Sequence, residues 1–450
     1  MSELRFSDFK ELENVQFVHC ENLFAQNPFL RRINTDSRKI GPNDVFWVLI
    51  GERYDAHDFV PAVALSGALC AVVQRAVEMP RPFPQVVVPD TLKALQQFAH
   101  LNRQRFNGTV IGLTGSNGKT STKELIAHLL QGKQTVHKTS GNLNNHIGCP
   151  LTLLELNNSF DFAVIEMGTN HPGEIELLAR ITQPDAALIT NLGTAHLEFF
   201  KTMDAIAREK LSLFDQMAPG KTIFVNADDP HIAGYQRTDL VRITYGLKEK
   251  ADVRARIISV DPNGNVRFEL NEKVKIQLRV PGKHNVQNAL AASAVALFYG
   301  LSEAEIKDRL QSYTAFDKRM QVLQHGGLRI INDAYNANPE SMAVAFQALQ
   351  QMEKGGGLIL VLGDMFELGD QALQMHKDVL HEALQLNPLA ILIMGELMTE
   401  AAKSLNAEKI KSFNSHRELA KELKNMAASN SLIFLKGSRG MQMEKVLEFI

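Results

Sequence analysis

The sequence predicts an α/β protein built from three domains. Short apolar runs typical of strands alternate with amphipathic helical stretches along most of the chain. A length of 450 residues corresponds to about three domains of roughly 150 residues each. Two breaks in the alternation then divide the chain, and we expect domains at residues 1–90, 91–314 and 315–450.

The composition is that of an ordered protein with an almost balanced charge. Hydrophobic residues make up 45% of the chain, charged residues make up 22%, and the formal net charge is −2. This balance leaves no broad basic face for nucleic acid, so a polyanion must bind at a local site. The cysteines Cys20, Cys70 and Cys149 are too widely spaced for a CxxC metal pair. No apolar run is long enough to span a membrane and no targeting segment opens the chain, so we expect a cytoplasmic protein.

The first domain is expected to be a small mixed α/β unit. Two apolar runs, VFWVLIG and ALCAVVQ, have the composition of strands. A proline-rich stretch from Met79 to Pro89 ends this part of the chain. Asp90 and Thr91 are then suited to cap a helix that opens the second domain.

The second domain is expected to be a parallel sheet of the kind found in P-loop ATPases. A short strand at 109–113 leads into a glycine-rich turn and then into an amphipathic helix from about Lys119. Apolar runs at 162–168, 186–193 and 221–229 follow, each separated from the next by a helical stretch. Such an alternation of strand and helix is typical of parallel sheets.

The third domain is expected to be a smaller, Rossmann-like unit. The runs LRIIND, LILVLGD, AILIMGE and SLIFLKGS alternate with helical stretches. Three of these runs end in polar loops, which contain Asp333, Asp364 with Glu367, and Lys436 with Ser438 and Arg439. Because the carboxyl ends of parallel strands meet at one edge of a sheet, we expect these loops to form a ligand crevice.

The glycine-rich turn is the clearest functional motif. Its backbone N–H groups and the start of the following helix are suited to bind phosphate, with the lysine on the β and γ oxygens and the threonine hydroxyl on Mg²⁺. The turn is a shortened variant of the Walker pattern, because Leu113 stands where that pattern has glycine. The residues assigned to the nucleotide here are Gly115, Ser116, Asn117, Gly118, Lys119, Thr120 and Ser121.

Five other side chains are candidates for the same site. Glu166 ends an apolar strand about where a P-loop protein places its acidic metal residue. His196 follows another such strand, at the edge where α/β proteins bind ligands. Lys210 lies in a helical stretch, where a solvated lysine is the ordinary alternative. Asn285 and Asn288 begin a helix and are suited to a base or ribose, although asparagine is also a common capping residue.

Taken together, these segments resemble the Mur ligase family of ATP-dependent amide-bond ligases in bacterial cell-wall synthesis. The match runs from about Thr35 to Arg439. The shared motifs occur in order: TGSNGKTSTKE, GNLNNHIGCPLTLL, VIEMG, TNLGTAHLE, the Lys210 helix, PGKHNVQNALAA, Arg319 and INDAYNANPESM. LGDMFELG and KGSRGMQME are further similar to the member that adds a dipeptide. The resemblance therefore implies a ligase that joins D-alanyl-D-alanine to UDP-N-acetylmuramoyl-tripeptide.

The resemblance also implies a metal centre. Lys210 matches a lysine that the family carbamylates, and the new carboxylate helps to hold a second Mg²⁺ together with His196. Glu166 matches a residue that contacts the Mg²⁺ of the nucleotide. Leu211 departs from the small residue that is usual after the lysine, which concerns local packing more than chemistry. We therefore expect ATP and two Mg²⁺ ions, with Lys210 carbamylated.

Further matches concern the nucleotide and the substrates. Arg319 and Asp333 match residues that reach ATP from the third domain, while Asn285 and Asn288 match contacts on the adenine side. The residues assigned to catalysis are Lys119, His196, Lys210, Arg319 and Asp333. The residues assigned to the substrates are Thr35, Asp36, Ser37, Arg38, Asn142, Asn144, Asn145, Tyr335, Asn336 and Asn338.

Three other interpretations stay open at the level of the sequence. A sister ligase, such as the tripeptide-forming member or folylpolyglutamate synthase, would share the ATP site and differ in the acceptor. A P-loop ATPase or switch protein would bind a partner without ligation, but it leaves the first and third domains unexplained. A degenerate relative would bind without catalysis, but the metal and phosphate positions carry competent side chains. We expect a monomer whose partners are two small substrates, without nucleic acid.

Overall fold

The computed structural model describes residues 4–51, 54–193, 200–248, 250–405 and 407–450. Within these ranges the chain forms three β-sheets, one after another, with helices packed against them. The predicted α/β class with three parts is thereby confirmed. No helix in these ranges has both the length and the apolar surface needed to cross a membrane.

The first sheet is small and mostly parallel. Its strands are β1 Gln16–Val18, β2 Ile33–Asn34, β3 Val45–Trp47, β4 Cys70–Val73 and β5 Gln85–Val87. They lie in the order β1-β5-β4-β3-β2, and only the β1 edge is antiparallel. The helices are Glu21–Gln26 and Val60–Leu65, with tight helical turns at Phe6–Glu11, Ser37–Lys39 and Ala56–Phe59. The two predicted apolar runs correspond to β3 and β4.

A helix at Thr91–Arg105 joins the first sheet to the second. Asp90 caps it as predicted, because its carboxylate accepts hydrogen bonds from two backbone N–H groups of the first turn. The buried face of the helix includes Phe98, which stacks on Phe9 with 4.6 Å between the ring centroids. This contact anchors the amino-terminal segment of the chain to the helix.

The second sheet is the largest. Its strands are β6 Thr109–Thr114, β7 Val136–Lys138, β8 Phe162–Glu166, β9 Ala186–Ile189, β10 Thr222–Asn226, β11 Val241–Gly246, β12 Val253–Val260, β13 Asn265–Leu270 and β14 Val274–Pro281. They lie in the order β14-β13-β12-β11-β10-β9-β6-β8-β7. The predicted strands β6, β8, β9 and β10 pair in parallel, as expected, and the unpredicted strands β7, β11 and β12 continue the parallel part of the sheet. Strands β12 to β14 instead form an antiparallel extension, since tight turns join these consecutive strands.

Helices cover both the second and the third part of the chain. Those of the second part are Lys119–Leu130, Gly148–Leu154, Glu174–Thr182, Met203–Asp215, Pro230–Ala233, His284–Phe298 and Glu303–Ser312. Those of the third part are Pro339–Gln350, Ala372–Gln385, Glu396–Lys403 and His416–Met426, with tight helical turns at Gly369–Gln371, Arg439–Met441 and Met443–Phe449.

The third sheet is parallel apart from one edge. Its strands are β15 Gln321–His325, β16 Leu328–Asn332, β17 Leu358–Gly363, β18 Ala390–Met394, β19 Ile410–Phe413 and β20 Leu432–Lys436. They lie in the order β15-β16-β20-β17-β18-β19, and β15 is the antiparallel edge. The four predicted runs correspond to β16, β17, β18 and β20. The loops that follow β16, β17 and β20 line a cleft together with the phosphate loop that follows β6.

Candidate active site

A cleft of about 470 Å³ lies between the second and third sheets. The second part of the chain lines it with the phosphate loop, the 142–146 loop and the segment after β8. The third part lines it with Arg319 and with the loops that follow β16, β17 and β20. The polar loops expected to form a ligand crevice therefore meet the phosphate loop across one space.

The phosphate loop, residues 115–118, begins where β6 ends and leads into the Lys119–Leu130 helix. Gly118 has a φ of 78°, a conformation that glycine adopts at little cost. A Cβ atom at this position would lie 2.4 Å from Oδ1 of Asn288. Glycine thus serves both the turn and the close approach of the His284–Phe298 helix.

Side chains of the loop connect it to the segment after β9 and to the third part of the chain. The Ser116 hydroxyl donates to the carbonyl of Gly193 at 3.1 Å. The Asn117 side chain points across the cleft, where its Nδ2 donates to Glu340 at 3.0 Å and its Oδ1 accepts from Nδ2 of Asn338 at 3.3 Å. The phosphate loop is therefore bridged directly to the start of the Pro339–Gln350 helix.

The Lys119 ammonium lies over the phosphate loop. Its Nζ donates to the carbonyl oxygens of Gly115 at 2.7 Å and Ser116 at 3.2 Å. Burial lowers the pKa of Lys119, the Glu166 carboxylate raises it, and the charge of Arg319 lowers it. Two cations thus approach the same loop, which favours an anionic ligand there.

The carboxylate of Glu166 lies at the floor of the cleft. Thr120 Oγ1 donates to Glu166 Oε1 at 3.2 Å, and Asn144 Nδ2 donates to the same oxygen at 2.9 Å. The other oxygen, Oε2, is buried and has no hydrogen-bond partner among the described residues. The Lys123 ammonium lies 3.6 Å from Oε2, so Oε1 is the oxygen of Glu166 that shares the floor of the cleft with the Thr120 hydroxyl.

This group of oxygens fits a Mg²⁺ ion that is shared with a nucleotide. Proteins commonly hold Mg²⁺ through one or two carboxylates together with substrate phosphates. In the part of the chain that the structure describes, no three or more His, Cys, Asp or Glu side chains are grouped to hold a metal by themselves. A cation that takes its remaining ligands from phosphate therefore suits Thr120 and Glu166.

Arg319 extends from the third part of the chain to this group. Its Nη2 donates to Thr120 Oγ1 at 3.2 Å, and its guanidinium lies 3.8 Å from the centre of the Tyr335 ring. Its Nε is buried and lacks a partner within the described ranges. A stacked guanidinium with a spare N–H is suited to bind an oxyanion.

Asp333 lies behind the wall of the cleft. Its carboxylate pairs with the Lys436 ammonium at 2.5 Å and accepts from the backbone N–H of Met320 at 3.0 Å. Lys436 is itself buried, donates to the carbonyl of Asn336 at 3.1 Å and lines the cleft. Asp333 therefore holds both this lysine and the segment next to Arg319, and its contact with ATP stays a prediction.

Asn285 and Asn288 are buried beneath the phosphate loop. Asn285 Nδ2 donates to the carbonyl of Pro281 at 2.7 Å, and Asn288 Nδ2 donates to Oδ1 of Asn285 at 3.1 Å. Asn285 also borders a smaller cavity together with Ser121 and Arg319. Their predicted contact with adenine is not tested by this arrangement.

Lys210 is not a solvated surface lysine. It lies in the Met203–Asp215 helix with 2% of its surface exposed. Burial and the nearby charge of Lys119 lower the pKa of Lys210 to about 7, while Glu209 raises it. His196, the other predicted ligand of the second metal, lies outside the described residues.

The residues predicted for the substrates fall in two places. Those that line the cleft are Asn142, Asn144, Asn145, Tyr335, Asn336 and Asn338. The first-part residues Thr35, Asp36, Ser37 and Arg38 do not line it. There Asp36 starts a tight turn by accepting from the backbone N–H of Arg38 at 3.2 Å. The Asp36 carboxylate also pairs with the guanidinium of Arg38 at 2.9 Å. The cleft thus gathers the residues of the second and third parts only.

Two charged residues near the cleft were missed by sequence reasoning. Lys123 is fully buried and lies 3.6 Å from Oε2 of Glu166. Glu174 lines the cleft at the start of its helix, where it accepts from the backbone N–H groups of Asn170 and His171. Lys123 stands one helical turn after Lys119 on the same side of the helix, and this spacing is the sequence signal that points to it.

Comparisons with known proteins agree with this architecture. A family model described as the Mur ligase middle domain matches residues 113–296, and one described as the Mur ligase, glutamate ligase domain matches residues 318–439. The chain is 36% identical to UDP-N-acetylmuramoyl-tripeptide--D-alanyl-D-alanine ligase of Escherichia coli over 93% of each chain. It is 35% identical to the ligase of the same name from Bacillus subtilis over 92% of each.

Solved structures give the same result. MurF from Acinetobacter baumannii superimposes with a TM-score of 0.87 and 34% identity, over 98% of this chain and 97% of that one. MurF ligase from Thermotoga maritima, solved in complex with ADP, superimposes with a TM-score of 0.81 and 28% identity, over 93% of this chain and 96% of that one. The resemblance seen in the motifs is confirmed, and the chain belongs to the Mur ligase family.

Proposed function

We propose that this chain is an ATP-dependent ligase that joins D-alanyl-D-alanine to UDP-N-acetylmuramoyl-tripeptide in peptidoglycan precursor synthesis. The observation that carries the proposal is the cleft, in which a phosphate loop with Lys119 meets Arg319 and the polar loops of the third sheet. Relatives named for this reaction match more than nine-tenths of the chain, which favours it over a sister ligase and over an ATPase that lacks the outer parts.

The reaction forms an amide from a carboxylate and an amine, so it needs a better leaving group than oxide. ATP transfers its γ-phosphoryl group to the terminal carboxylate of the tripeptide, giving an acyl phosphate and ADP. The amine of D-alanyl-D-alanine then attacks the acyl carbon and phosphate leaves. The products are the pentapeptide, ADP, inorganic phosphate and a proton.

The first step brings two anions together, so the main catalytic contribution is electrostatic. Lys119 and Arg319 are placed to neutralise the phosphoryl oxygens from opposite sides of the cleft. Asp333 fixes Lys436 and thereby keeps a third cation at the wall. Once the third part lies over the phosphate loop, these contacts hold the charges in place for the step.

Thr120 and Glu166 are the residues we propose for the nucleotide's Mg²⁺, since their oxygens lie together at the phosphate loop. When bound, Mg²⁺ supplies further neutralisation of the phosphoryl charge. The second Mg²⁺ is proposed at Lys210 in its carbamylated form, with His196 as a further ligand. The burial of Lys210 supports this role, because a lysine is rarely buried unless a partner compensates for the loss of water around its charge.

Substrate positions follow from the same arrangement. We propose that the asparagines of the 142–145 loop and Tyr335, Asn336 and Asn338 contact the peptide end of the substrate, because they line the cleft. The 35–38 segment is proposed to bind the UDP-sugar, outside this cleft. Asn285 and Asn288 are proposed on the adenine side.

The domain boundaries are also part of the proposal. The three sheets lie within residues 16–87, 109–281 and 321–436. Boundaries near residues 90 and 315 therefore separate them without dividing a strand. The monomeric state and the cytoplasmic location expected from the sequence stay predictions.

The proposed reaction is tested by phosphate release from ATP in the presence of UDP-N-acetylmuramoyl-tripeptide, with and without D-alanyl-D-alanine, followed by product mass. We expect release to require both substrates and the product to have the mass of the pentapeptide. Release with a free amino acid or a folate in place of the dipeptide would indicate a sister ligase. Release that is indifferent to every acceptor would indicate an ATPase.

A further inference from the structure

Lys123 lies within the Lys119–Leu130 helix and is fully buried. Buried lysines are rare unless they are paired, because removing an ammonium from water is costly. Its position, one turn beyond Lys119, places it behind the phosphate loop and not in the cleft. None of the roles proposed above uses this residue.

The ammonium of Lys123 faces three oxygens. Its Nζ donates to the carbonyl of Thr139 at 2.7 Å and lies 3.3 Å from Oε1 of Glu124 and 3.6 Å from Oε2 of Glu166. Glu124 in turn accepts a hydrogen bond from the partly exposed Lys138. Charges of alternating sign thus run from Glu166 through Lys123 and Glu124 to Lys138 at the surface.

This chain of charges constrains the carboxylate of Glu166. Its Oε1 accepts from Thr120 and Asn144, both of which line the cleft, whereas its Oε2 points at Lys123 and is shielded from solvent. The backbone N–H of Glu166 donates to Oγ1 of Thr139 at 2.9 Å, so the strand end is tied to the residue that Lys123 also contacts. One oxygen of Glu166 is therefore available to the cleft and the other is held away.

We propose that Lys123 is a positioning residue that makes Glu166 present a single oxygen to the nucleotide's cation, and that it thereby favours Mg²⁺ over Ca²⁺. The chemical reason lies in the two ions. Mg²⁺ takes six ligands in a compact octahedron, whereas Ca²⁺ takes six to eight and readily binds a carboxylate through both oxygens. Holding Oε2 back removes the ligand that the larger ion would gain.

A competing effect of Lys123 has to be separated from this one. A buried positive charge near a cation repels it, so removal of the charge strengthens binding of both ions. Since Mg²⁺ and Ca²⁺ carry the same charge, this electrostatic effect cancels in the ratio of their affinities. The ratio therefore reports the orientation of Glu166.

The test is calorimetric binding of ADP to the full chain, in the presence of either Mg²⁺ or Ca²⁺, without any turnover. The variant is Lys123→Met, which keeps an unbranched apolar side chain one atom shorter than lysine and removes the ammonium. We expect the preference of the wild type for Mg²⁺·ADP over Ca²⁺·ADP to fall about tenfold in this variant, which corresponds to about 1.4 kcal/mol. The matched control is Lys138→Met, which removes the lysine at the other end of this series of charges. Within the described residues its ammonium pairs with Glu124 and not with Glu166, so its ratio should equal that of the wild type.

A folded Lys123→Met protein with the wild-type ratio would overturn the proposal, and so would a wild type without preference for Mg²⁺·ADP. If Lys123→Met does not fold, Lys123→Met with Glu124→Gln removes both charges of the buried pair and carries the same expectation. The inference takes only the identity of the ligand from the proposed function. A wild type that fails to bind Mg²⁺·ADP at all would contradict the proposed function itself, which separates the two failures.

Discussion

At the scale of single residues, the charge of Lys119 is the one on which the proposed phosphoryl transfer depends most. We expect Lys119→Ala to lower turnover by about a thousandfold or more, because the β and γ phosphate charge loses its nearest cation. Steady-state phosphate release measures the effect. Lys133→Ala is the control, since Lys133 lies on the surface beyond the same helix and pairs with Glu305. Unchanged turnover in Lys119→Ala would remove the phosphate-loop assignment.

For Lys210 we expect a loss of activity that added carboxylates can partly reverse. Lys210→Ala is expected to lose activity, and added short carboxylates such as formate or acetate should restore part of it, because they can stand in for the carbamate. Lys119→Ala should show no such rescue, since its missing group is a cation. Full activity of Lys210→Ala without any addition would return this residue to a purely structural role.

We expect the protein to lose stability in mild acid because of His284. Burial lowers the pKa of His284 to about 4, while Asp333 raises it and Lys436 lowers it. The unfolded chain therefore takes up the proton first, near its ordinary pKa of about 6.5, and stability falls as the pH drops from there toward the folded value. The part of the His284 side chain that still meets solvent screens this effect, so we expect a loss of only about 1 kcal/mol between pH values of about 7 and 5.

Chemical denaturation at both pH values measures this loss, with His284→Gln as the comparison. The variant lacks the titrating group, so it should lose less stability than the wild type over the same interval. Equal losses would show that carboxylates elsewhere account for the acid sensitivity.

Residue roles were predictable where a motif is local. The phosphate loop could be found from the sequence because its glycines, lysine and threonine are consecutive and lie between a strand and a helix. The contact of Asn288 with Thr122 and the burial of Lys123 could not, since they depend on which elements pack together. The pairing of Asp333 with Lys436 joins residues that are 103 positions apart.

At the scale of elements, two glycines at helix starts share a backbone conformation and differ in the space around them. Gly118 and Gly173 both precede a helix with positive φ, but a Cβ atom at Gly118 would collide with Asn288, whereas nothing lies within 4 Å of one at Gly173. Gly173→Ala should cost about 1 kcal/mol, the strain of the left-handed conformation alone. Gly118→Ala should cost more and also weaken binding of ADP. Equal effects on stability and ADP affinity would contradict the close packing of the loop.

Strands were predictable when they are apolar and buried. All the runs expected from their composition became strands, including β6, β8 and β17, because both faces of a central parallel strand are covered. The strands that the sequence did not predict are mostly short, at a sheet edge or in the antiparallel extension: β1, β2, β5, β7, β11 to β15 and β19. Their residues are mixed in polarity and partly exposed, so their pairing is decided by neighbouring strands and turns.

At the scale of the whole molecule, closure of the third part over the phosphate loop is expected to accompany the reaction. The acyl phosphate would hydrolyse in water, and the contacts of Arg319 with Thr120 and of Asn117 with Glu340 and Asn338 are few enough to form and break. X-ray scattering in solution should therefore give a smaller radius of gyration with an ATP analogue and the tripeptide substrate than without them. Profiles that superimpose would argue against closure.

The central claim is that ATP activates the terminal carboxylate of the tripeptide by phosphorylating it within this cleft. The most direct measurement labels that carboxylate with a heavy oxygen isotope and follows the label by mass spectrometry after ligation. We predict that one labelled oxygen appears in the released inorganic phosphate, because the acyl phosphate carries it away when the amine attacks. Label in AMP, or phosphate without any label, would contradict the account.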